Sequence, residues 1–189
     1  SAEDHEMFHG KFGANIAILG LNIVEGGTER VDSVRAGLNR VRDEIDFVAV
    51  HDAVRPCIAD EWIDRVFEAA ERTGAAILAI PCVSTLKRSN DGRTIHQTVS
   101  RDKLWEAQTP QVFRRQVLVD AFARPSDTLA TDEAQLVEQL GHTVTIVPGS
   151  RLNVKITTRE DLKLAEAALQ ALPKPKLSNV FNPLDDMWR

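Results

Sequence analysis

The chain has 189 residues, of which 43% are hydrophobic and 27% charged, and its formal net charge is −5. This length and balance predict one globular domain with a core of its own. The negative charge argues against non-specific nucleic-acid binding, and no apolar run is long enough for a membrane span. We therefore predict a cytoplasmic protein in which Cys57 and Cys82 are free thiols.

The first half of the chain alternates strand-like and helix-like patterns. Apolar runs at 16–19 and 21–24 predict strands that end at a pair of glycines, and the spacing over 32–41 predicts a helix capped by Asp32 or Ser33. Residues 45–50 predict a buried strand, 60–72 a helix that Gly74 ends, and 75–80 a further strand. This alternation predicts an α/β fold with a mostly parallel sheet and helices on both faces.

Residues 82–104 interrupt the alternation. Two half-polar, β-prone runs, 83–87 and 94–99, flank the dipeptide Asp91-Gly92, which is typical of hairpin turns. A hairpin with so few core residues is expected to project from the domain as an arm. A second copy of the chain is the simplest surface on which such an arm would lie.

The remaining segments complete one domain, which we place at 1–172. The stretch from 104 to 110 reads as a polar, proline-stiffened loop that leads into a helix at about 114–122. A helix from 131 to 140, a strand over 142–147 and a helix over 159–172, preceded by a capping-box pattern, follow. Residues 173–189, with two prolines at their start, are predicted to be a C-terminal extension.

Charged residues follow the strand predicted at 45–50. Asp52 and Arg55 lie in a turn that Pro56 stiffens, and ligands of open α/β sheets bind beyond the carboxyl ends of strands. The turn therefore indicates a site for a metal-bound or phosphorylated ligand, and a simple surface ion pair is the alternative. Lys155, in a β-prone run just before a helix, suits a phosphate, whereas a solvated lysine is the alternative there.

Two further patterns near the amino end allow a functional and a structural interpretation. The segment from Gly26 to Arg30 suits a backbone that approaches a nucleotide closely, or a tight strand-to-helix turn. His5 and His9 match H-E-x-x-H, which on a helix places two imidazoles around zinc. We favour a charged terminal helix there, because no third ligand follows at a suitable spacing.

Taken together, six segments in order resemble the 2-C-methyl-D-erythritol 4-phosphate cytidylyltransferases of the non-mevalonate isoprenoid pathway. The matching residues are Gly26, Gly27, Arg30, Ser33 and Val34; His51-Asp52-Ala53-Val54-Arg55-Pro56; Thr85-Leu86-Lys87; Arg101 with Gln108-Thr109-Pro110-Gln111; Thr131-Asp132-Glu133-Ala134; and Asn153-Val154-Lys155-Ile156-Thr157. The resemblance implies a Rossmann-like nucleotidyltransferase fold and a homodimer whose arms reach into the partner's site. It also implies transfer of a cytidylyl group from CTP to methylerythritol phosphate, with Mg²⁺ and with release of pyrophosphate.

The resemblance also implies a role for each matching residue. It implies that the nucleotide is bound by Gly26, Gly27, Thr28, Ser33, Asp52 and Ala53. Asp52 would face the metal and the substrate's hydroxyls, and Arg55, Thr109 and Lys155 would bind the substrate within the subunit. Thr85 and Arg101 would come from the partner's arm, and Arg101 and Lys155 would orient the attacking phosphate.

The sequence also departs from the family pattern. The family begins with a glycine-rich loop that bears an Arg and a Lys, and no such loop is found in this sequence, so we expect the chain alone to be inactive. Val54, where an alanine is commoner, leaves ribitol 5-phosphate as an alternative substrate, while Trp105 favours methylerythritol phosphate. A non-catalytic, dimeric remnant is the second alternative.

Overall fold

This computed structural model describes residues 2–124 and 130–174, which contain both helices and strands. The elements of these two ranges are α1 (Ala2–Ile18), α2 (Arg30–Leu38), β1 (Phe47–Val50), α3 (Asp60–Thr73), β2 (Ala75–Pro81), β3 (Leu86–Arg88), β4 (Gln97–Val99), β5 (Trp105–Arg114), α4 (Arg115–Ala123), α5 (Glu133–Gln139), β6 (Thr145–Pro148) and α6 (Arg159–Ala171). Beyond Lys174, the predicted C-terminal extension lies outside the described residues.

Four strands form the central sheet in the order β1-β5-β2-β6. Strands β1, β2 and β6 share one direction, and β2 and β6 are a parallel pair. Strand β5 lies between β1 and β2 and runs antiparallel to both. The α/β prediction is confirmed, and three of the four strands run the same way. Two of the three neighbouring strand pairs are nevertheless antiparallel. Both involve β5, which forms in the segment that the sequence predicts as a loop.

Strand β5 contains a bulge that explains why its sequence reads as a loop. Ala107 pairs with Ala79 and Gln111 with Ile77, so three residues of β5 face the single residue between them on β2. Pro110, which has no N–H to donate, is one of these three and is tolerated because a bulge interrupts the hydrogen-bond ladder. Because several of its residues are polar, the sequence pattern of β5 does not indicate a strand, although β5 lies in the middle of the sheet.

Helices cover both faces of the sheet, as predicted. The side chains of β2 alternate between the faces, because successive residues of a strand point to opposite sides. Ile77 lies in one buried cluster with Leu118 of α4 and Val137 of α5. Leu78 lies in a second cluster with Val66 of α3. The two apolar layers hold the sheet rigid, so its strand ends give a fixed platform for polar groups.

Several predicted element ends are observed. Helix α3 ends at Gly74, which is left-handed (φ 88°) and whose N–H donates to the carbonyl of Ala70. Helix α2 begins earlier than predicted, with Glu29 as N-cap, and Asp32 is the third residue of its capping box rather than the cap. The capping box of α6 pairs Thr158 with Asp161. Backbone N–H groups of Thr157 and then Thr158, followed by the hydroxyls of the same two residues, lower the pKa of Asp161 to about 2.

The strands predicted at 16–19 and 21–24 are wrong. Residues up to Ile18 belong to α1, and the N–H of Leu19 continues its hydrogen bonding by donating to the carbonyl of Asn15. A short apolar run forms a strand only where another strand accepts its hydrogen bonds, and within the described ranges none lies beside this one. The helix expected around the H-E-x-x-H match is present, but the side chain of His5 lies outside the description. Among the described residues, no cluster of three His, Cys, Asp or Glu side chains suits a metal ion.

Strands β3 and β4 form a separate two-stranded antiparallel sheet, which is the predicted hairpin arm. The strands are shorter than predicted because residues 89–96 form one long connection. Within it, the carboxylate of Asp91 accepts hydrogen bonds from the N–H groups of Thr94 and Arg93 and from the hydroxyls of Thr94 and Ser89. These bonds, led by the backbone N–H of Thr94, lower the pKa of Asp91. No helix of the described residues has the length and apolar character that a membrane span requires.

Candidate functional site

Asp52 is the centre of a cluster of charges in the turn after β1. Its Oδ2 lies 3.0 Å from Nζ of Lys155 and 3.5 Å from Nε of Arg55. Its Oδ1 lies 3.2 Å from a guanidinium nitrogen of Arg30. One carboxylate therefore contacts three cations, one from its own turn and two from segments distant in the chain, and all four side chains line a cleft of about 150 Å³.

Arg30 connects this cluster to α5. Its two terminal nitrogens lie 2.6 Å from Oε1 and 3.0 Å from Oε2 of Glu133, so the pair is bidentate. Glu133 is the first residue of α5 and is only 1% exposed, whereas Arg30 is partly exposed. A negative side chain at a helix N-terminus is also favoured by the helix dipole. Arg30 thereby ties the start of α2 to both Asp52 and α5.

The bulge of β5 is held by hydrogen bonds to the loop before Lys155. The amide of Gln108 donates to the carbonyl of Ser150 (2.8 Å) and accepts from its N–H (3.3 Å). The buried Asn153 donates from Nδ2 to the carbonyl of Thr109 (2.8 Å), and Arg55 donates to the carbonyl of Asn153 (2.8 Å). These contacts fix Thr109 at the cleft and bring the segment of Lys155 alongside it.

A second set of polar contacts joins β5 to the start of α5. The buried Gln111 donates from Nε2 to Asp132 (2.9 Å) and accepts at Oε1 from the N–H of Ala134 (3.0 Å). Asp132 is the N-cap of α5, because its carboxylate also accepts from the N–H of Gln135 (3.0 Å). The polar edge of the cleft is therefore rigid on this side as well.

The charges of the cluster shift its pKa values. Burial alone would raise the pKa of Asp52, but the hydrogen bond and charge of Lys155, followed by those of Arg30, hold it below its usual value. Burial alone would lower the pKa of Arg30, but Glu133 and then Asp52 outweigh that effect and raise it. Asp52 is therefore ionised at neutral pH. Nε of Arg55 is buried and faces Oδ2 of Asp52 at 3.5 Å, so the guanidinium is held by this ion pair and by its hydrogen bond to the carbonyl of Asn153.

The structure brings together the four residues expected to bind substrate within one subunit: Asp52, Arg55, Thr109 and Lys155 all line the cleft. Thr85 and Arg101 do not line it. Both belong to the region of the arm, where Thr85 is exposed and the guanidinium of Arg101 donates to the carbonyl of Val83. Their expected contribution to a partner's site stays a prediction.

The glycine segment packs closely against α2. A Cβ at Gly26 would lie 2.7 Å from Oγ of Ser33, and one at Gly27 would lie 2.3 Å from Cβ of Asp32. The N–H of Gly27 also donates to Oγ of Ser33 (3.1 Å). Local packing is therefore sufficient to require both glycines. Thr28 and Ala53 are exposed, so their expected contact with a nucleotide stays a prediction.

The residues that the sequence does not assign to the site are mainly polar groups that hold it in shape. Glu133, Asp132 and Gln111 belong to segments that match the family, yet no role follows from their residue types alone. The available signal is the density of polar residues in two short runs, 108–111 and 131–133, beside apolar elements. Buried polar side chains need partners, so such runs indicate a network between them.

In the cleft wall the described residues offer Mg²⁺ two carboxylates, Asp52 and Asp132, and Asp132 is already engaged as the N-cap of α5 and as acceptor from Gln111. Both oxygens of Asp52 already lie within 3.5 Å of cationic nitrogens. Magnesium in nucleotide enzymes is commonly bound through one or two carboxylates together with phosphates. The donor set therefore fits a cation that arrives on a nucleotide, with Asp52 as its protein ligand, and does not fit an ion held by the protein alone.

An α/β sheet with a cation-rich cleft beyond its strand ends has the place at which open α/β sheets bind ligands. Residues 7–171 match the family model described as IspD, 2-C-methyl-D-erythritol 4-phosphate cytidylyltransferase. The chain belongs to this family, and its fold is the Rossmann-like fold of nucleotidyltransferases.

Individual relatives agree with the family match. The chain is 47% identical over 150 residues to a 2-C-methyl-D-erythritol 4-phosphate cytidylyltransferase of Syntrophus aciditrophicus, covering 78% of this chain and 64% of that protein. It is 42% identical over 181 residues to the protein of that name from Rhodopirellula baltica, covering 89% and 73%. The crystal structure of the Thermus thermophilus protein superimposes with a TM-score of 0.73 at 38% identity, covering 80% and 74%. The chain thus spans about two thirds of the length of such relatives.

Proposed function

We propose that this chain forms the part of a cytidylyltransferase that binds a phosphorylated alcohol, and that the reaction joins CTP and 2-C-methyl-D-erythritol 4-phosphate with release of pyrophosphate. The observation that carries the proposal is the convergence of Lys155, Arg55 and Arg30 on Asp52 in one cleft, within a chain of this family. The relatives that bear this enzyme name support the choice of substrates.

The reaction needs little covalent help from the protein. The phosphate monoester of the alcohol attacks the α-phosphorus of CTP, a new P–O bond forms, and the bond to pyrophosphate breaks. A phosphate monoester is largely ionised near neutral pH, so no general base is required. Catalysis then rests on bringing two polyanions together in line and neutralising their charge.

Lys155 and Arg55 supply charge for this task. Both line the cleft, and the side chain of Lys155 is 43% exposed. We propose that they bind the substrate phosphate and the nearby oxygens, and that Asp52 accepts hydrogen bonds from the substrate's hydroxyls. Arg101 of a second copy would add a further cation beside Lys155.

We propose that the nucleotide lies on the side of Gly26, Gly27, Thr28, Ser33 and Ala53. When bound, Mg²⁺ would offset the negative charge of the nucleotide's phosphates, with Asp52 as its protein ligand. Of the two carboxylates that line the cleft, Asp132 already caps α5 and accepts from Gln111, which supports Asp52 as the ligand.

We propose that the arm docks on a second copy of the chain. It forms its own small sheet, and Val83, Ile95 and Leu104 in or beside it are exposed apolar side chains. A second copy would cover this surface and would place Arg101 beside the partner's cleft. Sedimentation of the chain measures its oligomeric state, and a monomer at micromolar concentration would refute the proposal.

Pyrophosphate release from CTP and Mg²⁺ tests the reaction, with methylerythritol phosphate, ribitol 5-phosphate or no substrate alcohol. The assay is run with the chain alone and with the chain placed behind the N-terminal segment of the S. aciditrophicus relative. We expect release that depends on methylerythritol phosphate in the fusion and none in the chain alone. Release only with ribitol 5-phosphate would show that this compound, and not methylerythritol phosphate, is the substrate alcohol. No release with either compound would refute the enzymatic proposal.

Mixed dimers test whether the arm acts across subunits. Arg101→Ala and Lys155→Ala subunits of the fusion are each expected to be inactive. A mixture restores one site of two only if the two residues belong to different subunits of the same site. No recovery in confirmed mixed dimers would refute the arm's proposed role.

A further inference from the structure

His51 lies in the same turn as Asp52, and no role has been assigned to it so far. Its ring contacts two oxygens: Nε2 lies 3.0 Å from the carbonyl oxygen of Arg55, and Nδ1 lies 3.0 Å from Oγ1 of Thr109. The same Oγ1 also accepts a hydrogen bond from the backbone N–H of Asp52 (3.0 Å). Two short contacts therefore connect the turn after β1 to the bulge of β5, and the third closes the turn itself.

The donors and acceptors in these contacts determine where each proton lies. A carbonyl oxygen only accepts, so Nε2 of His51 carries the proton of the neutral ring. Nδ1 then has no proton and can only accept, so the hydroxyl of Thr109 donates to it. With its proton engaged by His51 and one lone pair engaged by the N–H of Asp52, Oγ1 of Thr109 retains one free lone pair.

We propose that His51 is a positioning residue that engages the hydroxyl proton of Thr109, so that Thr109 offers the substrate only a hydrogen-bond acceptor. The group that Thr109 contacts must then be a donor, which is an alcohol hydroxyl and not an ionised phosphate oxygen. This inference rests on the proposed function for the identity of the substrate. The inference gives the orientation of the substrate in the cleft: its polyol end lies at Thr109 and Asp52, and its phosphate lies toward Lys155.

The neighbouring groups support this orientation. Asp52, which follows His51 in the chain, is ionised. Its carboxylate, like Oγ1 of Thr109, can therefore only accept hydrogen bonds. Two acceptors side by side suit the hydroxyls of a polyol and repel a phosphate. Arg55 and Lys155, which can only donate, line the same cleft and attract the phosphate. Acceptors and donors thus lie next to each other in one cleft, with Nζ of Lys155 3.0 Å from Oδ2 of Asp52.

The tautomer of His51 is the first test, and it does not depend on any substrate. Long-range ¹H–¹⁵N spectra of the chain with ¹⁵N-labelled histidine report which ring nitrogen of the neutral imidazole carries the proton. Loss of one signal set in His51→Asn assigns His51 among the five histidines. We expect a proton on Nε2 and a bare Nδ1. A proton on Nδ1 would overturn the proposal.

Binding to variants is the second test, measured by calorimetry with methylerythritol phosphate and, separately, with inorganic phosphate. His51→Leu frees the Thr109 proton and should weaken methylerythritol phosphate binding about three- to tenfold, the worth of one neutral hydrogen bond, while leaving phosphate binding unchanged. His51→Asn, which places an acceptor near the position of Nδ1, should recover most of the loss. His142→Leu, outside the cleft, is the matched control.

The possible results separate this inference from the proposed function. Equal weakening of both ligands in His51→Leu, or equal affinity in His51→Leu and His51→Asn, would overturn the positioning role. If the unmodified chain binds inorganic phosphate but not methylerythritol phosphate, the proposed substrate fails. In that case the tautomer of His51 alone decides whether Thr109 is committed as an acceptor.

Discussion

Replacing Glu133 with glutamine tests the pair that ties α5 to the cleft. The carboxylate is 1% exposed and makes two charged hydrogen bonds, of 2.6 and 3.0 Å, to Arg30. Breaking a fully buried pair by removing one partner costs about 3–5 kcal/mol. Arg30 is 38% exposed, so water replaces part of the lost interaction. We therefore expect the free energy of unfolding to fall by about 2–3 kcal/mol, which for a chain of this length lowers Tm by about 4–12 °C.

Urea denaturation followed by circular dichroism measures this change, with Glu138→Gln on the exposed side of α5 as the matched control. The control should change stability by less than about 0.5 kcal/mol. A double-mutant cycle with Arg30→Gln isolates the interaction of the pair, because it subtracts the separate effects of each substitution. If Glu133→Gln costs no more than Glu138→Gln, the bidentate pair is not a structural tie and the reasoning is refuted.

Three further predictions concern stability. Asp161→Asn should destabilise the chain at pH 7 and have no effect near pH 2. The lowered folded-state pKa of this carboxyl stabilises the chain above the unfolded value of about 3.9, and that stability is lost as pH falls to about 2. An equal effect at both pH values in urea titrations would contradict this. Leu78→Ala should cost about 2–5 kcal/mol in the same titrations, since Leu78 is fully buried, and a cost under about 1 kcal/mol would contradict the core assignment. Gly149→Ala should cost about 1–3 kcal/mol, because its Cβ would lie 2.2 Å from Oε1 of Gln108, whereas Gly37→Ala, with no atom within 4 Å, should be neutral or slightly stabilising. Equal effects of the two alanines would refute the close packing at Gly149.

The sequence predicts those parts of the fold in which local pattern and tertiary structure agree. Helix α3 has an apolar stripe and a terminal glycine, and both its bounds are close to the prediction. Strand β5 escapes prediction because its buried glutamines are satisfied by partners far away in the chain, at Ser150 and Asp132. Residues 16–24 fail for the opposite reason: their residue types favour strands, but without a neighbouring strand residues 16–18 continue helix α1 and residues 21–24 form no regular element.

The site shows the same division. Asp52, Arg55 and Lys155 can be selected from the sequence because each lies at or beside an apolar run near a strand end, although an ion pair and a solvated lysine are the alternatives that the pattern leaves open. The role of His51 is not predictable from sequence, because it depends on which oxygens its two ring nitrogens meet. The partnership of Arg30 with Glu133 spans 103 positions and follows only from the fold.

The most direct test of the phosphate-binding cleft is calorimetric titration of methylerythritol phosphate into the unmodified chain, Lys155→Met and Lys163→Met. Lys163 lies on the exposed surface of α6 and serves as the charge-matched control. A charge-assisted hydrogen bond contributes about 1.5–3 kcal/mol, so Lys155→Met should bind about 10- to 150-fold more weakly, while Lys163→Met should match the unmodified chain. Equal affinities of the Lys155 and Lys163 variants would contradict the assignment of this cleft as the site of the phosphorylated alcohol.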